Sequence, residues 1–202
     1  MNPPRFPKHD PAGAAFWEAR YRERFTPWDA GRVPSRLREF VARSASPGRV
    51  LVPGCGAAYE VRFFADSGWD VEGIDFSAAA LEAAAPVLGP WTRKARLADF
   101  FGAEVAGPFA LVYERAFLCA LPRGLWNAWA ERLAGLIPAG GHLAGFFYLD
   151  REAVGGPPFA LHDDAELRSL LEPHFARVED AEVTDSIPVF VGKERWQVWQ
   201  RE

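Results

Sequence analysis

Short apolar runs, each closed by a glycine or proline turn, alternate along this chain with stretches whose apolar residues recur at helical spacing. Helical spacing predicts helices over Ala14–Arg24, with Phe16, Trp17 and Tyr21 near one face, and Ser35–Arg43, capped by Ser35. Ser46-Pro47-Gly48 breaks the second helix and launches a strand over Arg49–Val52. Helix then covers Ala58–Asp66, stopped by Gly68, before a strand at Asp70–Ile74. Ser77 caps an Ala-rich helix that Pro86 ends. Strands follow at Arg93–Leu97 and Phe109–Tyr113, a helix at Leu125–Ile137 and a strand at His142–Leu149. After a loop over Asp150–Leu161 come a helix at Asp163–Leu171 and alternating strands at Ala176–Val183 and Glu194–Gln200. Strands alternating with helices predict an α/β fold, a mainly parallel doubly wound sheet with helices on both faces and an antiparallel end.

Composition narrows the class. At 202 residues, 49% hydrophobic and 25% charged, the chain suits one globular domain of ordinary size. We divide it into a flexible N-terminal segment, 1–15, and a single domain, 16–202. The net charge of −4 without a basic run argues against a nucleic-acid partner. No segment reads as a signal peptide or a membrane span, so a cytoplasmic protein is expected, a monomer or weak homodimer. Cys55 and Cys119 read as buried free thiols, and the four histidines show no metal-ligand spacing. Eight Trp and 16 Phe suggest an aromatic-walled pocket in addition to a core.

The candidate chemistry sits where strands end. The first strand stops at Pro53-Gly54-Cys55-Gly56, and the second ends at Asp75, 19 residues beyond Gly56. A glycine turn admits a ligand close to the backbone, and an acid about 20 residues on accepts hydrogen bonds from a ribose diol. Tyr59 stands where a dinucleotide fingerprint places its third small residue, so the turn suits a nucleoside without phosphates better than NAD. A plain tight turn and a polar loop Asp are the competing readings. Asp99-Phe100 follows the third strand, where an acid and a ring can take an adenine amino group and cover its face; a surface Asp beside core phenylalanines is the alternative. Glu114-Arg115 ends the fourth strand, and Arg115 suits the carboxylate of a zwitterionic tail, unless it forms only a surface ion pair. Trp17 and Tyr21 share a helix face, for which packing on the sheet is the competing reading, and Trp28 lies in a Pro/Asp/Gly loop; aromatic faces attract a cation such as a sulfonium.

Taken in order, Phe16-Trp17-Glu18, Thr26-Pro27-Trp28-Asp29-x-Gly31, Leu51-Val52-Pro53-Gly54-Cys55-Gly56, Gly73-Ile74-Asp75-Phe76-Ser77, Asp99-Phe100-Phe101, Glu114 to Ala120 and Gly155-Gly156-Pro157-Pro158-Phe159 resemble the thiopurine S-methyltransferase family, and within it the halide and thiol (thiocyanate) methyltransferases. The resemblance implies a Rossmann-like class I fold with a seven-stranded sheet and S-adenosyl-L-methionine as cofactor. It implies cofactor contacts from Trp17, Tyr21, Trp28, Gly54, Asp75, Asp99, Phe100 and Arg115, with Glu60 as a further acid after the turn. It implies a substrate pocket walled by Trp28, Phe117, Tyr148 and Phe159, and a small soft methyl acceptor: a thiol, sulfide, halide, thiocyanate or thiopurine. No catalytic base is legible. A nonenzymatic nucleoside-binding module and, less favoured, a nicotinamide-dependent oxidoreductase are the rival readings.

Overall fold

The computed structural model describes residues 6, 9–44 and 47–202. Ser46, expected to help break the second helix, lies outside the described residues, as do residues 1–5, 7 and 8 of the N-terminal segment. The described part of that segment has packing partners. Phe6 lies 5.5 Å from Phe25, and the Arg20 guanidinium sits 4.5 Å from the Phe6 ring centroid.

Seven strands form one sheet: β1 (Arg49–Pro53), β2 (Asp70–Asp75), β3 (Ala95–Leu97), β4 (Leu111–Arg115), β5 (His142–Tyr148), β6 (Phe175–Glu182) and β7 (Glu194–Arg201). Their order is β3-β2-β1-β4-β5-β7-β6. The first five are parallel, and β7 runs antiparallel to both β5 and β6. The expected parallel sheet with an antiparallel end is therefore what forms.

Side-chain alternation sorts the apolar residues onto two faces. Leu51, Val112, Leu143 and Phe147 point to one core, closed by α5 (Trp126–Leu136) and α6 (Asp164–Leu171) through Trp129, Leu133 and Leu167. Val50, Val52, Leu111 and Tyr113 point to the other, closed by α2 (Ser35–Arg43), α3 (Tyr59–Asp66) and α4 (Ala78–Leu88) through Leu37, Phe64 and Ala84. Trp129, Trp196 and Trp199 are wholly buried, so part of the aromatic excess is core.

Several local expectations shift. Ser35 does not cap α2: Pro34 holds that position, and the Ser35 N–H donates instead to Asp185 Oδ2, 2.8 Å away on the β6–β7 loop. Pro86 does not end α4. The helix runs on to Leu88 and stops at Gly89, whose φ of +56° is open to glycine, while Arg62 donates to the Val87 carbonyl at 3.2 Å. Arg93 and Lys94 belong to a 3₁₀ turn (Gly89–Lys94), which shortens β3. The fourth strand begins at Leu111 and extends to Arg115, because Phe109 bonds outward to the Leu136 carbonyl. Ser77 caps α4 as expected, accepting from Ala80 N–H at 3.1 Å. Both cysteines are free and buried. Among the described residues no helix is long and apolar enough to cross a membrane.

Candidate functional site

Sheet order reverses between β1 and β4, and at the carboxyl ends of these strands lies a cavity of about 560 Å³. Its floor is the turn after β1. Gly54 and Gly56 take φ of +57° and +51°, and Ala58, which opens α3, takes +62°. A Cβ on Gly54 would meet the Phe117 ring at 2.6 Å, and one on Gly56 would meet the Tyr21 hydroxyl at 2.6 Å. Glycine is needed at both positions for conformation and for space.

Asp75 holds this turn. Its Oδ2 accepts from Gly56 N–H at 3.1 Å and its Oδ1 from Ser77 N–H at 2.9 Å. Burial pushes its carboxyl up to about 6, with nearby Glu18 adding to the shift and the backbone bonds opposing it. Each oxygen keeps a second lone pair, and the residue lines the cavity. Asp75 can thus serve a ligand diol while fastening the backbone around it. Asp99 also lines the cavity, its Oδ1 accepting from Phe101 N–H at 3.0 Å. Phe100 is buried, edge-on to Phe117 at 5.2 Å.

The polar far end is unsaturated. Arg115 Nε stands 3.8 Å from Glu60 Oε1, and its guanidinium lies 4.5 Å from the Phe146 ring centroid. Arg115 Nη1 and the Tyr113 hydroxyl are buried without hydrogen-bond partners among the described residues, though both residues line the cavity. Burial raises the Glu60 carboxyl and Arg115 opposes that shift. Unmet donors beside a carboxylate make a socket for a group bearing both an anion and an ammonium.

Helix α1 (Ala14–Arg22) and the loop after it roof the cavity. Trp28 packs edge-on to Trp17 at 5.4 Å and to Tyr21 at 6.0 Å, and its Nε1 reaches the Tyr21 hydroxyl at 3.5 Å. Burial, and then the charge of Asp75, raise the Tyr21 phenol well above its ordinary value, so it stays neutral. Glu18 fastens the roof: its Oε1 accepts from the Ser77 hydroxyl and from Ala79 N–H, both at 3.1 Å. Leu121, Leu125, Pro157, Pro158, Val189 and Phe190 form an apolar stretch of the remaining wall, which also holds Arg20, Asp29 and Arg32.

All eight residues expected to contact a cofactor line this one cavity, as does Phe117. Tyr148 and Phe159 do not. The Tyr148 ring packs on Phe190 at 5.0 Å and its hydroxyl donates to Asp150 at 3.1 Å; with Phe159 it borders a second cavity of about 10 Å³ behind the wall. Phe190, from the β6–β7 loop, lines the cavity and packs on the Tyr148 ring. Glu18, Val189 and Phe190 were not singled out from sequence. The apolar run Ile187 to Val191 in a loop between strands was the available signal for the last two, whereas Glu18 meets partners 59 and 61 residues away that no local pattern announces.

The family model described as thiopurine S-methyltransferase (TPMT) matches residues 12–202. The chain belongs to this family. It is a methyltransferase that depends on S-adenosylmethionine, which sets aside the oxidoreductase and nonenzymatic readings. Thiocyanate methyltransferase 1 of Arabidopsis thaliana is 33% identical over 192 residues, covering 92% of this chain and 84% of that protein. A thiopurine S-methyltransferase of Azotobacter vinelandii is 31% identical over 208 residues, covering 92% and 91%. In fold the chain resembles the 1,6-didemethyltoxoflavin-N1-methyltransferase of Burkholderia thailandensis (TM-score 0.73, 16% identity, 98% and 93% covered). It also resembles the magnesium protoporphyrin IX methyltransferase of Synechocystis PCC 6803 (TM-score 0.73, 17% identity, 94% and 97% covered).

Trp28 supplies the central roof ring. Trp28→Ala is expected to weaken S-adenosylhomocysteine binding about tenfold and S-adenosylmethionine binding by more, because only the latter carries a sulfonium for the ring to attract. Calorimetry with both ligands, on protein shown to be folded, checks this; equal losses would remove the cation from the argument.

Proposed function

We propose that this family member transfers the methyl group of S-adenosylmethionine to a small soft nucleophile: a thiol, sulfide, halide, thiocyanate or thiopurine. The observation that carries the reading is one cavity lined by the polar groups of Asp75, Glu60 and Arg115 together with the apolar side chains of Trp28, Phe117, Leu121 and Phe190. Gly54, Gly56 and Asp75 hold the ribose, Asp99 and Phe100 the adenine, and Arg115 with Glu60 and Tyr113 the amino-acid tail. Trp17, Tyr21 and Trp28 cover the reacting centre.

When bound, the cofactor supplies a sulfonium methyl that an acceptor displaces in line. The aromatic wall excludes water from the approaching acceptor and aligns it, which is where this chain contributes most. Cys119, also in the lining, has its thiol pushed well up by burial and then by the charge of Glu114, so it does not act as a base. An acceptor already ionised at neutral pH needs none. Trp28 and Phe117 face the acceptor, with Tyr148 and Phe159 supporting from behind.

Methyl transfer to iodide, thiocyanate, hydrosulfide and an aryl thiol tests the class. With iodide or thiocyanate the acceptor's own ionisation adds no pH dependence. With a thiol of pKa about 8.5, kcat/KM should climb toward that pH as thiolate forms. No methylated product from any member of the panel would overturn the proposal.

A further inference from the structure

Strand β4 ends at Arg115, and Ala116 next takes φ of +56°, a conformation L side chains seldom adopt. The chain bends there into the 3₁₀ turn Leu118–Ala120, whose own N-cap position makes no side-chain cap bond. Glu114 supplies the bond from the strand. Its Oε1 accepts from Phe117 N–H at 2.8 Å and from Leu118 N–H at 2.9 Å. The residue is 1% exposed and its Oε2 has no partner among the described residues. Gly145 on β5 leaves it space, since a Cβ there would overlap the Glu114 backbone and Cβ.

A buried, half-partnered carboxylate is a costly way to tie down two amides. Glu114 does not itself line the large cavity, so the proposed reaction gives it no contact with either reactant. What it fixes is Phe117, whose ring sits against Gly54 and edge-on to Phe100, between the nucleoside end and the apolar wall. We propose that Glu114 is a positioning residue, holding the Ala116–Leu118 bend so that the Phe117 ring covers the glycine turn and shapes the cofactor site. The proposal rests on the reading that this cavity takes the cofactor.

Two substitutions separate the hydrogen bonds from the charge. Glu114→Gln keeps an acceptor oxygen, whereas Glu114→Met keeps the volume and removes it. We expect S-adenosylhomocysteine, measured by calorimetry, to bind at least tenfold more weakly to Glu114→Met and within twofold of the parent to Glu114→Gln. In a Phe117→Ala background, Glu114→Met should cost less than a further twofold. A Met variant with parental affinity, or a tenfold loss that persists without the Phe117 ring, overturns the proposal. Amide exchange in the parent tests the role even if the Met variant fails to fold: Phe117 and Leu118 N–H must be protected at least a hundredfold, and exchange at open-loop rates refutes it. A parent that binds no S-adenosylhomocysteine overturns the cavity reading instead, and the exchange result then decides whether Glu114 holds the bend.

Discussion

Asp75→Ala is expected to weaken S-adenosylhomocysteine binding by about 2–4 kcal/mol, roughly 30- to 1000-fold. The loss has two sources. The ligand forfeits charge-assisted hydrogen bonds at the ribose, and the glycine turn forfeits the acceptors of Gly56 and Ser77 N–H. Asp75→Asn should fall between, because its one carbonyl oxygen can replace only one of the two carboxylate oxygens. Since burial and neighbouring Glu18 lift the Asp75 carboxyl to about 6, wild-type affinity should decline as pH drops through that value and the acceptor becomes a neutral acid. Calorimetry across pH 5–8 measures both effects, and an unchanged Kd for the Ala variant would remove Asp75 from the site.

Glu114 should make the fold less stable as pH rises. Burial holds its carboxyl up at about 7, against an ordinary 4.5, with the charge of Glu194 adding to the rise and Arg115 and the two backbone bonds opposing it. Between those pH values the folded chain keeps a proton that the unfolded chain has released. Stability therefore falls across that window and levels off above it, by up to about 3 kcal/mol from this one group. Glu114→Gln cannot titrate, so urea unfolding should find it more stable than the parent at pH 8, with the gap closing toward pH 4.5. Asp75, also raised, slopes the same way in both proteins and cancels from the comparison. Parallel stability curves for parent and variant would contradict the assignment.

The order of strands and helices was legible because alternation and glycine stops are local signals. So were the turn at Gly54 and the acid at Asp75, whose spacing is fixed by one βαβ unit. Ends were less legible. Pro86 reads as a stop, yet it falls in the last turn of α4, where Gly89 closes the helix and Arg62 takes a freed carbonyl. Ser35 has a capping side chain, yet Asp185, 150 residues away, takes its amide. The apolar part of the cavity wall was least legible: sequence offered Tyr148 and Phe159, but the β6–β7 loop brings Phe190 into the lining, packed on the Tyr148 ring. A tertiary contact of that kind leaves no periodicity to read.

Ser77 touches both floor and roof: its amide is given to Asp75 beneath the cavity and its hydroxyl to Glu18 on the helix above. The joint ties α1 to the start of α4, so the roof helix and the strand-end acid share one anchoring residue.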